Sequence, residues 1–422
     1  MTLLATTAAP RVRTIPIEDP GPLLERLPES LGGTAWVRDG DGLIGWGLAA
    51  AVEVNGDVRF SRTQRWWVDS CRQADIDDPL RLPGTGPVAF GSFTFDPDPA
   101  SGRTSRIVIP RAILGRSNGI SWLTVVGDPD DTLPDDGLLP AAFAPSAPRQ
   151  VDWSRGTRTS EEWKASVAEA IDRICRGEMD KVVLARDVIA ETSEDFDVRY
   201  LLQRLAAAYP ECWTFQVDDM VGATPELLVR RTGDIVISRV LAGTVKRRGE
   251  EGADATLAEA LLGSNKDLEE HDYAVRSVAR ALAHHCTDLR VPAKPRVLRL
   301  SNVQHLATDI TGRLADDASV LALAASLHPT AAVCGSPTER AFALIREIEG
   351  MDRGRYAGPV GWFDSRGDGE FGIALRCAEV RPGSLRLFAG CGIVAGSDPE
   401  AELAESRAKF LPIREAIGEK SA

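Results

Sequence analysis

No stretch of the 422-residue chain runs through the roughly eighteen apolar residues a bilayer-crossing helix needs. Positive charge is also in deficit: 49 Lys and Arg stand against 62 Asp and Glu, a net charge of −13. A body of that sign repels nucleic acid and anionic membranes, which excludes most polyanion-binding roles. It does not exclude a small anionic ligand, which responds to the field of its own pocket. The seven cysteines include no C-x-x-C pair and are odd in number, so neither a zinc site nor a disulfide frame is expected. Most of them lie in apolar runs, where a free thiol behaves as a small hydrophobe. The N-terminus has no charged segment leading into a long apolar run, so it does not read as a signal peptide. A reducing compartment, the cytoplasm, is the expectation. Hydrophobic residues at 43% with 26% charged are enough to build a core, so a folded globular chain is expected.

Residues 1–24, rich in Pro and Thr, read as an N-terminal arm. Short β-like runs separated by Gly/Asp turns dominate from about 33 to 127. A hairpin is expected around Asp39-Gly40-Asp41-Gly42, with further strands at 88–95, 106–109 and 120–126. Residues 128–150, with clustered Asp and Pro, form the best candidate linker. From Ser160 the texture changes. Trp163, Val167, Ile171 and Ile174 recur at helical spacing, Gly177 ends that helix, and Lys181 opens a strand. Strands are expected at 214–217, 227–230, 235–240, 296–300 and 373–380. Ser264, with Asp267 three residues on, starts a helix to about 285, and 399–417 form a terminal helix. Without a regular βαβ rhythm, the expected class is α+β with a large, mostly antiparallel sheet. The organisation expected is an arm (1–24), a β-rich half (25–150) and a catalytic region (151–422).

Several polar residues stand in unusual places. Lys181 at the head of an apolar strand is either an edge gatekeeper or a buried functional amine. Glu226, in Gly222-Ala223-Thr224-Pro225-Glu226-Leu227, ends a turn as a solvated carboxylate or is desolvated enough to donate a proton. Asp267 and Glu270 share one helical face, and Glu402, Glu405 and Lys409 share another. Both faces read more readily as a solvated, salt-bridged surface, with a carboxylate pair for Mg²⁺, which takes oxygen ligands, as the functional alternative. Gly243 with Thr244, and Gly390-Cys391-Gly392, let backbone N–H groups approach an anion. Arg376 falls inside an apolar run and needs an anionic partner. His305 reads more readily as a core histidine, and His328 as structural.

Taken in order, the segments at 181–186, 222–228, 241–244, 264–271, 305–308, 327–335, 374–378, 388–394 and 402–409 resemble the chorismate-utilising enzymes. The resemblance is close from about 155 to 415 and weak in the N-terminal third. It implies a body of two large, mostly antiparallel sheets packed together with helices outside, the active site lying in the C-terminal part. It implies Lys181 as the base that activates water and Glu226 as the acid that protonates the departing hydroxyl. It implies Glu270 and Glu405 as Mg²⁺ carboxylates, with Glu402 and Asp267 behind them through water. Gly243, Thr244, Arg376, Gly390, Cys391, Gly392 and Lys409 match substrate-holding positions, while His305, Ala332 and Tyr356 match pocket residues.

Within that family, Lys181 together with Ala242 before the Gly-Thr pair points to water as nucleophile. The reaction implied is conversion of chorismate to isochorismate, feeding menaquinone or a siderophore. No glutaminase partner is implied, and a monomer is expected. A salicylate-forming enzyme shares Lys181 and Glu226, but Ala332-Val333 lacks the hydroxyl that such enzymes tend to carry there. A non-catalytic chorismate binder is the third reading, and it would be favoured by loss of Lys181, Glu226 or the carboxylates.

Overall fold

A computed structural model describes residues 10–28, 32–127, 139–142 and 144–418. Its frame is set by one long hairpin-like pair, Asp41–Val54 against Ser105–Ser117. The register shifts between Leu48 and Ala50, just past Gly47, whose φ of +64° few other residues adopt cheaply. This bulge bends the pair, so each end continues into a different leaf of sheet.

In the first leaf, the end of the pair nearest Gly42 is joined on one side by Ile120–Gly127, Arg11–Ile17 and Asp75–Asp77. On the other side follow Thr34–Arg38, Trp213–Val217, Met220–Thr224, Cys377–Arg381, Ser384–Ile393 and Lys181–Thr192. In the second leaf, the other end continues through Val88–Ser92, Pro359–Asp364, Gly369–Ile373, Leu227–Thr232, Ile235–Lys246 and Val303–Leu314. Among the described strands only Arg11–Ile17 with Asp75–Asp77 pairs parallel. The α+β class with a large antiparallel sheet, expected from the irregular alternation of elements, is what the chain forms.

Helices cover the leaves. Ser160–Cys175 begins at a capping box in which Thr159 accepts from Glu162 N and Glu162 reaches back to Thr159 N. Asn265–Leu282 is capped by Ser264, which accepts from Asp267 N, and buries His271, Ala274, Val275 and Val278. Pro399–Ala416 packs on Ser384–Ile393 and on the helix from Ser160. Four helices escaped the sequence reading: Arg59–Gln73, Val198–Ala208, Glu251–Gly263 and Thr338–Ile348.

Two sequence expectations are corrected. Residues 10–24 are not a loose arm, because Arg11–Ile17 is a sheet strand with Val12 and Thr14 buried. Its R-V-R-T alternation was hidden by the Pro and Thr around it. The expected strand 373–380 is broken: Gly369–Ile373 belongs to one leaf and Cys377–Arg381 to the other. Strands of the two halves pair directly, Thr34–Arg38 with Trp213–Val217 and Val88–Ser92 with Pro359–Asp364. Residues 128–138 and 143 of the expected linker lie outside the described residues. No described helix is long and apolar enough to cross a membrane.

Candidate active site

The chain crosses between the leaves twice at one place, and the site grows from that crossing. Pro225 and Glu226 carry it from Met220–Thr224 to Leu227–Thr232, and residues 374–376 bring it back. The two crossings are bonded side by side. Ile373 N donates to Glu226 O at 3.2 Å, and Ala223 N donates to Arg376 O at 3.1 Å. Arg376 makes its turn at φ +47°, a conformation costly for a residue with a side chain and held by these neighbours. An arginine expected in mid-strand thus lies at a break, its guanidinium in a cavity lined also by Glu226.

The cavity leaves about 50 Å³ open and is lined by Gly243, Thr244, Glu270, His305, Ala332, Tyr356, Gly390, Gly392, Glu405 and Lys409 besides those two. These are twelve of the sixteen residues singled out in the sequence, drawn from both leaves and two helices. Glu226 is buried, and that desolvation raises its carboxyl to about 8 against the opposing charges of Arg376 and Lys181. It therefore carries its proton at neutral pH, as a general acid must.

Lys181 is fully buried, with Nζ 3.1 Å from Glu270 Oε1. Burial opposes ionisation of Glu270, but the charges of Lys181, Lys409 and Lys266 hold its carboxyl below the usual range. Gly392 makes that pair possible, because a Cβ there would stand 2.1 Å from Glu270 Oε1 and 3.0 Å from Lys181 Cε. Gly243, at φ +74°, forms a bulge opposite His305 and leaves room for Asp267, whose side chain a Cβ would meet at 3.0 Å.

Arg376 and His305 orient one another. Arg376 Nη2 lies 3.0 Å from His305 Nε2, and a guanidinium has only donors, so Nε2 accepts. Nδ1 then carries the hydrogen, pointing to Thr244 Oγ1 at 3.0 Å and Gly243 O at 3.4 Å. Burial, with the charges of Arg376 and Lys409, drives the imidazole well below its ordinary pKa, so it stays neutral. Far from a passive core histidine, His305 holds the arginine. Lys409 bonds Glu405 Oε1 at 2.6 Å and Gly390 O at 2.8 Å. Tyr356 stacks on Phe388 with ring centroids 4.9 Å apart and sets its hydroxyl beside Gly390.

Besides Glu270 and Glu405 in the cavity lining, Glu402 and Asp267 lie just outside it. Glu402 is buried and pairs with Lys266 at 2.9 Å, yet burial and the neighbouring Glu405 push its carboxyl up. Asp267 is raised in the same way, burial first and Glu270 after it. Four acidic side chains, Asp267, Glu270, Glu402 and Glu405, thus meet Lys181, Lys266 and Lys409. The donors facing one another are mostly hard oxygens, which suits Mg²⁺.

Two placements differ from expectation, the first being Lys181, which is fully buried against Glu270 and is not part of the cavity lining. Cys391 does not line the cavity either: successive side chains on a strand alternate, and with Gly390 and Gly392 facing the cavity it points to the terminal helix. Its Sγ lies 3.3 Å from Glu402 O and within 4.8 Å of the Glu402 and Glu405 carboxylates. Residues that the sequence reading missed include Lys266, Val183, Arg353 and Phe388. Lys266 sits between Ser264 and Asp267, where the capping pattern could have drawn notice. A wider cleft of about 960 Å³, lined by Trp36, Trp213 and Glu370, lies elsewhere. There Glu370 already accepts from Trp36 Nε1, Trp213 Nε1 and Arg230 Nε.

Comparison with known proteins accounts for nearly the whole chain. Residues 19–418 match the family described as chorismate binding enzyme. The chain is 34% identical over 412 residues to the salicylate biosynthesis isochorismate synthase of Pseudomonas aeruginosa, covering 90% of this chain and 84% of that protein. It is also 34% identical to the isochorismate synthase MenF of Bacillus subtilis, covering 89% and 85%. Among solved structures, the menaquinone-specific isochorismate synthase MenF of Escherichia coli superposes with a TM-score of 0.79 at 26% identity, covering 97% of this chain and 95% of that one. With the match running through both leaves and every segment that lines the cavity, the chain belongs to the chorismate-binding enzyme family.

Proposed function

We propose that the protein converts chorismate reversibly to isochorismate, adding water at C2 of the ring as the C4 hydroxyl departs. The observation that carries this reading is a fully buried lysine, paired with the cavity carboxylate Glu270, together with a glutamic acid in the cavity wall held protonated at neutral pH. In the forward direction Lys181, acting from its neutral amine form, takes a proton from water as the water oxygen bonds to C2. The ring double bonds shift, and Glu226 gives its proton to the C4 oxygen, which leaves as water. Atoms balance, with one water entering and one leaving; Lys181 and Glu226 then return to their starting protonation through solvent.

Arg376, aimed by neutral His305, supplies a fork for one substrate carboxylate, with Lys409 and the Gly390 and Gly243 backbone beside it. Tyr356 and Phe388 wall the cavity against water. Glu270 and Glu405 would hold Mg²⁺, with Glu402 and Asp267 behind them. That ion would neutralise the substrate's other carboxylate and fix the ring. Wild-type reaction with water fits Lys181 and Ala242, so no glutaminase partner is called for, and we read the protein as a cytoplasmic monomer. The relatives are named for menaquinone and for salicylate routes alike, and this chain's product would enter one such route.

Incubating the protein with chorismate and Mg²⁺ in ¹⁸O-water tests the reading. Isochorismate carrying ¹⁸O at C2, with no pyruvate released, is the expected result. Salicylate with equimolar pyruvate would replace the proposal with the lyase, and no isochorismate at any Mg²⁺ concentration would end it.

A further inference from the structure

The strand that bears Lys181 has a gap along its outer edge, and the gap is closed by an ion pair. One edge of Lys181–Thr192 is paired continuously with Ser384–Ile393. The other edge is paired with Gly335–Ser336 only at Lys181 and Val182, and with Val151–Arg155 only from Val188 onward. Between them Val183 and Ala185 turn their N–H and C=O groups to a side where no strand lies. Buried backbone groups must find partners. Here Val183 N donates to Cys334 O at 2.8 Å, and Trp163 Nε1 donates to Ala185 O at 3.0 Å. The remaining two are met by Glu349 and Arg353. Arg353 Nη2 donates to Val183 O at 2.7 Å, and Ala185 N donates to Glu349 Oε2 at 2.8 Å.

Glu349 and Arg353 are themselves locked together, Nε to Oε1 at 2.7 Å and Nη2 to Oε2 at 2.6 Å. Both are almost completely buried. A pair this deep adds little stability over apolar side chains, since desolvation offsets the attraction. What it supplies is geometry. Arg353 Nη1 also donates to Val333 O at 2.8 Å, and Val333 with Ala332 forms the cavity wall. One guanidinium therefore ties the backbone two residues beyond Lys181 to the neighbouring Ala332–Val333 segment of the same cavity lining.

We propose that Arg353, braced by Glu349, is a positioning residue that stands in for a missing strand and fixes the distance between Lys181 and the Ala332–Val333 wall. The inference rests on the reading of Lys181 as the base. Arg353 makes four bonds here, two to Glu349 and one to each carbonyl, and a lysine ammonium has three donors, so lysine at 353 is not an equivalent. Loosening the brace leaves Arg376, Lys409 and the carboxylates in place. Binding should persist while the alignment of water with the ring is lost.

The test compares R353K and E349Q with E347A, which removes the exposed Arg173–Glu347 pair two residues before Glu349. R353K and E349Q should lower kcat about 10- to 100-fold, as small misplacements of reacting groups do, with chorismate KM changed less than about threefold. Their melting temperatures should stay within about 5 °C of wild type. E347A should keep wild-type kcat. Wild-type kcat in both R353K and E349Q would overturn the proposal, as would losses appearing in KM alone. If R353K fails to fold, the isosteric E349Q decides. Failure of the underlying reading is distinguishable, because wild-type protein would then yield no isochorismate whatever the variants do.

Discussion

Replacing Glu226 with Gln keeps the shape of the side chain and removes the proton it is read as donating. Burial moves this carboxyl from 4.5 to about 8. At pH 7 roughly nine molecules in ten then hold the acid form, against about three in a thousand for an unperturbed glutamate. That difference, about 300-fold in the competent form, is what the fold contributes by desolvating one crossing residue. General-acid loss should cut kcat by about 10²–10⁴. In wild type, kcat should fall as pH rises through about 8; in E226Q that alkaline limb should disappear. Stability gives a second readout with a definite sign. A carboxyl whose folded value is raised stabilises the native state most below 4.5, and that contribution is lost as pH rises through about 8. Wild type should therefore lose several kcal/mol between pH 5 and 9 relative to E226Q, measured by urea unfolding. An alkaline limb persisting unchanged in E226Q, or a kcat within tenfold of wild type, would refute the assignment of Glu226 as the acid.

Lys181→Ala should abolish hydroxyl exchange while calorimetry still detects chorismate binding; appreciable turnover would remove Lys181 as the base. Gly392→Ala drives a Cβ into Glu270 Oε1, so kcat/KM should fall about 100-fold with little change in melting temperature. Steady-state kinetics near wild type would mean the Lys181–Glu270 contact is dispensable. Glu405→Gln should raise the Mg²⁺ concentration giving half-maximal rate about tenfold or more, and an unchanged metal titration would take Glu405 out of the metal set.

Much of the site was legible in one dimension because certain residue types are conspicuous where they stand. A lysine heading Val182-Val183-Leu184-Ala185 and a glutamate before Leu227-Leu228 violate the binary pattern of a strand. Such violations mark places where burial serves chemistry. Caps such as Ser264 with Asp267 were equally local. The missed features depend on neighbours far along the chain. Arg11–Ile17 is a strand because Ile120–Gly127 lies beside it, and the Thr338–Ile348 helix is followed by residues whose role depends on the Lys181 strand.

The sequence alone determined the α+β class, the acidic and unpaired-cysteine character, and the roster of residues able to do acid, base and metal chemistry. Periodicity and composition are properties of short segments, so they need no knowledge of what packs against them. The tertiary structure decided which of those residues meet. It turned Arg376 out of a strand at the return crossing, and by strand alternation it pointed Cys391 away from the cavity. It raised the Glu226 carboxyl by burying it at a crossing between leaves, and it filled a gap beside Lys181 with the Glu349–Arg353 pair. Apart from the Cys391 alternation, each of these is set by desolvation or by a hydrogen-bond partner that lies tens to hundreds of residues away, and no local pattern encodes either.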